Sequence, residues 1–435
     1  MSFKGLIYIG LFGLCAIGAL FLPQLGIYAY IADYCISPGG QWWGAPFAAM
    51  GLRGSFTLAA ATLVGMILHF NRLKYGKKFL SAQERWLLVF LAFVWILFWI
   101  SPETAGRYTT HDHPSVKLTK IFVFVLMMTH VLTDVRKLNG LFWVLSTVSL
   151  FLGVKAWETP YSRFVRGRLE GIGGPDFAEA NFFAAFMAAM LPIIAIQFLR
   201  SKSWMLRLYA LVCGAFTANA VILCRSRGAF LGLVAGAFAS VWFAPQKLRK
   251  KVLVLLLVGV VGGVYLTDRT FIERIMTITT DQGTMDESSS SRIELWKAGG
   301  RMFLRNPVGI GPGNWYQTIG RYIPEYEGKD SHNTFVKCAV ELGAAGIFLF
   351  LLLIFLSYRN LRRIERDLAA DHSEEANDFR QYFFAMVVSM AILLTCALTI
   401  TMIYTEILWV VLMLPLCLRR AHDNAVLERR GLETA

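Results

Sequence analysis

Charge is the first thing this chain is short of. Asp, Glu, Lys and Arg make up only 17% of its 435 residues, where a soluble domain carries about 25%. Polar linkers are also missing: apolar runs recur from end to end, 56% of residues are hydrophobic and the mean hydropathy is +0.52. A soluble chain of this length would form about three domains, and the lack of any dividing linker argues against that. The seven cysteines lie in or at the ends of apolar stretches with no CxxC spacing, so neither a disulfide framework nor a zinc site is indicated. The apolar run after Met1-Ser2-Phe3-Lys4 is too long for a signal-peptide core and has no clear small-residue cleavage site. It is expected to stay as a first span. Acidic residues are few, 29 against 43 Lys plus Arg, for a net charge of +14. Much of that excess sits in short loops between apolar spans, where the positive-inside rule explains it, and nucleic acid is discounted as a partner.

What is present is a succession of apolar stretches near the 20 residues that an α-helix needs to cross a bilayer. Candidates fall at 5–31, 52–70, 86–101, 117–133, 138–156, 180–199, 205–224, 227–244, 251–267, 333–357, 381–399 and 402–418. The expected fold is therefore an all-α polytopic membrane protein of about 12 transmembrane helices. Every second loop carries a basic cluster: Arg72 to Arg85, Arg136 with Lys137, Arg200 to Arg207, Lys247 to Lys251, and Arg359 to Arg366. That alternation places these loops and both termini in the cytoplasm. Pro23 and Gln24 interrupt the first run, and a split there would flip only the N-terminus. Three segments follow: 1–267 with spans one to nine, a large outward loop 268–332, and 333–435 with the last three spans and a cytoplasmic tail. Long loops in compact proteins are often functional, so chemistry is sought in 268–332 and in the second outward loop, 157–179.

The large loop opens with a polar run from Thr280 to Ser290. Ser291-Arg292-Ile293-Glu294 then has the spacing of a capping box and predicts a helix ending at Asn306-Pro307. On a helical wheel, Glu294, Lys297, Arg301 and Arg305 share a polar face, opposite Trp296, Gly299, Gly300 and Phe303. Arg292 falls on the apolar face, either snorkelling to water or aimed at an anionic ligand. Gly309, Gly311, Pro312 and Gly313 form a tight turn that is an anion nest or simply a corner. The loop closes on Asp330-Ser331-His332-Asn333 at the mouth of the next span. A lone histidine is more often structural, yet this one shares a side with Arg292, and histidine suits general-base work near neutral pH. A further anomaly is Arg225-Ser226-Arg227-Gly228 at the outward end of span eight, where residues two apart point to different sides. Arg227 begins a small-residue stripe of Gly228, Ala229, Gly232, Ala235 and Gly236 that permits close helix packing. Glu341, inside span ten, is expected to be structural, paired to an arginine or hydrogen-bonded to a neighbouring helix. Lys117 and Lys120 look like interfacial anchors, and His111 and His113 lack a third ligand for a metal.

Together these residues resemble the O-antigen ligase superfamily of bacterial envelope enzymes, which includes ligases, polymerases and protein O-oligosaccharyltransferases. The resemblance rests on Ser226-Arg227-Gly228-Ala229 opening a span, on Arg292 through Trp296 followed by Asn306-Pro307-Val308-Gly309-Ile310-Gly311, and on His332-Asn333 leading into Glu341-Leu342-Gly343. Those motifs cover residues 225–346. Gly173-Gly174-Pro175, and Asn181 before Pro192, are similar to the exosortase-associated O-glycosylation ligase branch.

The resemblance implies transfer of a glycan from undecaprenyl diphosphate to an acceptor hydroxyl by an inverting, metal-independent reaction. It places the reaction on the periplasmic face of the bacterial inner membrane. The acceptor expected is lipid A core, with another lipid-linked glycan or a protein hydroxyl as alternatives. Arg227 and Arg292 would bind the diphosphate, since guanidinium makes bidentate charge-assisted hydrogen bonds to phosphate. His332 would take the acceptor proton. Arg166, Arg168, Arg225 and Asn333 are further candidates for substrate contact. No cofactor is expected, and membrane lipids are the other partner. A transporter is the rival class, but it would gather charges along a midplane pathway, whereas these gather at the outward ends of spans.

Overall fold

The structure is a computed structural model that describes residues 2–51, 53–74, 76–101, 108–109, 112–266 and 287–433. Its helices are α1 (Phe3–Phe21), α2 (Pro23–Ile36), α3 (Ala45–Ala49), α4 (Gly54–Leu68), α5 (Ala82–Ile100), α6 (Pro114–Val131), α7 (Val135–Glu158), α8 (Ala180–Arg200), α9 (Trp204–Leu223), α10 (Arg227–Phe243), α11 (Arg249–Leu266), α12 (Glu287–Arg305), α13 (Trp315–Thr318), α14 (Thr334–Asp367), α15 (Glu374–Cys396) and α16 (Glu406–Glu433). No strand forms among the described residues beyond an isolated bridge from Val165 to Arg168. Among the described residues, eight helices are long and apolar enough to cross a membrane: α1, α5, α6, α7, α8, α9, α14 and α15. Candidates 52–70 and 227–244 correspond to the shorter apolar helices α4 and α10, so length and composition support eight of the expected spans rather than twelve. Large apolar side chains project outward along α1, α9 and α11, among them Leu11, Leu14, Leu208, Leu211, Val258 and Val261. On a soluble protein such belts would be a liability; in a bilayer they meet lipid.

The first candidate span is corrected by the structure. Leu22 leaves helical geometry (φ −131°, ψ 83°) and Pro23 begins a second helix, which suits a residue with no N–H to donate. The two helices fold back as a hairpin. Tyr8 Oη donates to Asp33 Oδ1 at 2.5 Å, and Ala19 packs against Gly26. The start of α1 therefore lies beside Asp33 and Trp43. At the far end of the chain, Asn424 bonds Gly76 and Thr133. The start of α1 and the C-terminal half of α16 thus lie at opposite ends of the bundle.

Polar contacts sort the loops into those same two ends. At one, Asp176 joins Tyr34, Lys117 (2.6 Å) and the backbone N–H of Glu406 (3.0 Å). At the other, Arg200 meets Asp378 (2.9 Å) and Arg420 meets Glu84 (2.7 Å). The loops with basic clusters belong to the second end. Between the ends, Phe183 through Met190 of α8 are fully buried, and Ser389 Oγ of α15 donates to Ala189 O at 2.7 Å. The stripe on α10 does what small residues do where no hydrophobic force draws helices together: Gly228, Gly232 and Gly236 bring the backbone against Thr399, Cys396 and Ile392. All seven cysteines are free.

Candidate active site

The mouth of α14 is fixed on three sides. Asn333 caps the helix, its Oδ1 accepting from the N–H groups of Phe335 (2.9 Å) and Val336 (3.1 Å), which is the role asparagine fills best. Its Nδ2 donates to Leu398 O at 3.0 Å. Thr334 N–H donates to Ala397 O at 2.9 Å, and its hydroxyl donates to Ile400 O at 2.7 Å. Ser331, fully buried, bonds Thr401 at 3.0 Å. Held between these anchors, His332 adopts φ +46°, a left-handed conformation in which histidine is several-fold enriched yet still uncommon. Its N–H donates to Asp330 Oδ2 at 3.2 Å, and its Nδ1 lies 3.9 Å from that oxygen. Nδ1 is buried with no hydrogen-bond partner. The other oxygen of Asp330 accepts from Lys337 Nζ at 3.0 Å. Lys337 is buried and sits 3.9 Å over the ring of Tyr316.

Helix α12 leans on this turn. It begins at Glu287, a turn earlier than the capping spacing at Ser291 suggests; the rest of the polar run, residues 280–286, lies outside the described residues, as does His111. Its packed face is Leu295, Ala298 and Met302, which meet Trp315, Ile319 and Val340. Gly300 is exposed, so the wheel was right about Gly299 and wrong about its neighbour. Trp296 Nε1 donates to Ser331 O at 2.9 Å. Arg292 is half-buried one helical turn before Trp296, on the stripe that faces the histidine turn.

The glycine-rich segment is a corner. Gly343 breaks α14 with φ +66°, ψ −168°, a region essentially reserved for glycine. Into that break fit Ile310 N–H, donating to Val340 O at 3.1 Å, and Gly311 N–H, donating to Glu341 O at 2.9 Å. Ala344 N–H returns a bond to Pro307 O at 2.8 Å. The amides that an anion nest would offer are thereby partly used. Glu341, fully buried, accepts from Trp315 N–H (3.1 Å) and Tyr404 Oη (2.7 Å), so it ties α13 and the α15–α16 connection to α14.

The four other arginine candidates separate. Arg227 is the first residue of α10, half-buried, next to Gly228, which packs on Thr399. Thr399 adjoins Leu398, the partner of Asn333, so one short turn links the Arg227 and His332 ends of their helices. Arg225, at φ +47°, donates to Gly167 O at 2.7 Å. Arg168 donates to Cys224 O (3.1 Å) and to Asn181 Oδ1 (2.5 Å), which also accepts from Ser226 Oγ. Arg166 is exposed at the tip of the 165–168 turn. Lys117 is paired with Asp176 rather than serving as a loose interfacial anchor, and His113 caps α6.

Electrostatics tie these groups together. Burial pushes the His332 imidazole below its ordinary value; the Asp330 carboxylate opposes that, and Arg292, Lys337 and Arg168 reinforce it. The histidine is therefore neutral at pH 7 and able to accept a proton. Burial works against ionisation of Asp330, but the Lys337 ammonium, a hydrogen bond from Thr401 and the field of His332 together outweigh it and hold the carboxyl well below the usual carboxylate range. Glu179, at the head of α8, is raised by desolvation and by Asp330 and Glu170, against Arg168 and Arg292. Among the described residues, no group of three or more His, Cys, Asp or Glu side chains is placed to hold a metal. A surface cleft of about 260 Å³ lined by Asp33, Tyr34, Arg53 and Pro175 includes none of the residues around His332.

The model of the O-antigen ligase family matches residues 210–351, about a third of the chain. Over that segment the chain is similar to the O-antigen ligase family. No curated protein matches the chain. The O-antigen ligase segment takes in Arg225, Arg227, Arg292, Asp330, His332, Asn333 and Lys337, and leaves out Arg166 and Arg168. It supports membrane glycosyltransfer of the ligase or polymerase type. Asp330, Lys337 and Glu179 are the site residues that sequence reasoning passed over. Asp330 lies in the turn before α14 and Lys337 in its first turn, so no single helical or strand pattern joins them, and Glu179 reaches the site from another loop.

Proposed function

We propose that the chain transfers a glycan from undecaprenyl diphosphate to an acceptor hydroxyl on the periplasmic face of the inner membrane, with inversion and without a metal ion. The observation that carries this reading is His332, neutral and held in a left-handed turn within the field of Arg292 and Arg168. His332 takes the proton of the acceptor hydroxyl as that oxygen attacks the anomeric carbon, a contribution of about 10² to 10⁴ in rate. The bond from that carbon to phosphate breaks, and its electron pair leaves with undecaprenyl diphosphate. Arg292 and Arg227 bind the diphosphate and neutralise the charge that grows on it; charge-assisted bonds contribute about 1.5 to 3 kcal/mol each, and more in a dry site. Arg168, Arg225 and Asn333 hold the walls of the site, and Arg166 is available to a longer substrate. Lipid A core is the acceptor of this reading, with another lipid-linked glycan or a protein hydroxyl as the alternatives.

The test is reconstitution in lipid with an undecaprenyl-diphosphate glycan and lipid A core in the presence of EDTA. Native protein is expected to attach the glycan, while His332→Ala and Arg292→Ala remain folded and lose transfer by about 10²-fold or more. Elongated lipid-linked chains or a labelled protein would replace the acceptor. Absence of transfer to any acceptor would sink the enzyme reading and leave transport.

A further inference from the structure

Asp330 presents one oxygen to Lys337 Nζ at 3.0 Å and the other to the His332 turn, 3.2 Å from the backbone nitrogen and 3.9 Å from Nδ1. Its carboxylate cannot wander, because Lys337 is buried, packed on Tyr316 and anchored in the first turn of α14. Nδ1 is buried and has no hydrogen-bond partner. Hydrogen bonds of catalytic groups are often long without substrate and tighten when it binds. Two nitrogens of one ring cannot both be the working base, and the buried one beside a carboxylate is the one that keeps its proton.

We propose that Asp330 is the positioning residue of the transfer reaction: fixed by Lys337, it holds the proton of His332 on Nδ1 and so presents Nε2 to the acceptor hydroxyl. The proposal rests on the reading of His332 as general base. In the step itself the acceptor O–H proton moves to Nε2, the acceptor oxygen bonds to the anomeric carbon, and the carbon–phosphate-oxygen bond releases its electrons to the diphosphate. The ring is then an imidazolium bonded through Nδ1–H to Asp330, and it later gives the Nε2 proton to water. Asp330 faces the ring from its own turn, Arg292 from α12, Lys337 from α14 and Arg168 from the 159–179 loop. Of these, Asp330 alone stabilises the imidazolium. Lys337 thereby has two roles: it locks Asp330, and its charge adds to the burial and the Arg292 field that favour the neutral resting ring.

The experiment measures kcat and donor KM of the full-length protein in lipid from about pH 5 to about pH 9, for native protein, Asp330→Asn, Asp330→Glu, the double variant Asp330→Asn with Lys337→Gln, and His332→Ala. Asp330→Asn is expected to lower kcat roughly 10²-fold or more with KM within about twofold. Its acid limb should move to lower pH, because the group that raises the histidine is gone. Asp330→Glu should recover part of kcat. Asp330→Asn strands a buried ammonium, so the double variant, which removes both charges, reads the same loss if the single one does not fold. A kcat within about threefold of native and an unmoved limb in a folded variant would overturn the proposal, as would failure of both the single and double variants to fold, which would make Asp330 a folding residue. If His332→Ala still transfers glycan, it is the general-base reading that falls, whatever Asp330 does.

Discussion

At the end of the bundle that carries the basic loops, Glu84 and Arg420 are buried together with both Glu84 oxygens engaged. Oε2 accepts from Arg420 (2.7 Å) and from Ser81 N–H (2.8 Å), and Oε1 from Thr129 Oγ1 (2.7 Å). Arg420 donates further to Phe79 O and Thr129 O. At the other end Asp330 and Lys337 form a second, slightly more open pair whose neighbour, His332, is left with an unpartnered Nδ1 and a left-handed backbone. Both pairs cost desolvation. The first answers it with a closed set of hydrogen bonds and does nothing else. The second leaves capacity unused beside two arginines, which is the condition of a site waiting for a ligand.

The comparison breaks first, and with the largest effect, at the closed end. Arg420→Met should strip Glu84 of its charge partner and lower stability by about 3 to 5 kcal/mol, the usual result of breaking a buried pair from one side. Transfer per folded molecule should be unchanged. Unfolding in detergent followed by denaturant, alongside activity normalised to the folded fraction, checks both parts. A stable but inactive Arg420→Met would mean that the two ends are coupled.

A smaller effect sharpens the contrast at the open end. Gly343→Ala would place a Cβ 2.3 Å from the backbone of Val308 and 2.5 Å from Pro307 O, in a conformation that costs of order 1 to 3 kcal/mol before any clash. The 307–311 segment must then lift from the break in α14. Here stability and transfer should fall together, since α12 and Arg292 hang on that segment. A Gly343→Ala protein with native transfer would show that the corner and the site are independent.

How much of this the sequence disclosed depends on distance along the chain. Eleven of the twelve apolar candidates each contain a helix, and the twelfth splits at Pro23, where the missing N–H was visible. The α10 stripe, the ambiguity of the glycine-rich turn and the isolation of Glu341 were all legible as local pattern. Their outcomes were not: whether Gly309 to Gly313 cradle an anion or fill a broken helix depends on Gly343, some thirty residues on. The same limit hid Lys337, which reads as an ordinary charge at a span's end until the turn at His332 brings Asp330 onto it. Tyr34, Lys117, Asp176 and Glu406 come from four parts of the chain, and no spacing rule connects them.

The smallest effect isolates the backbone of His332 from its ring. Alanine and glycine at position 332 both remove the imidazole, so both variants should be inactive. They differ in what φ +46° demands. A residue with a Cβ is strained there by roughly 1 to 2 kcal/mol, and glycine is not. Glycine in turn gives the unfolded chain more freedom, which offsets about 0.4 to 1 kcal/mol. His332→Gly should therefore be the more stable of the two by about 0.5 to 1 kcal/mol, measured as a shift in unfolding midpoint. An alanine variant as stable as the glycine one would mean that the turn relaxes once the ring is gone. In that case the strain belongs to the imidazole's own contacts with Asp330, not to the hydrogen bonds of Ser331, Asn333 and Thr334 that clamp the turn.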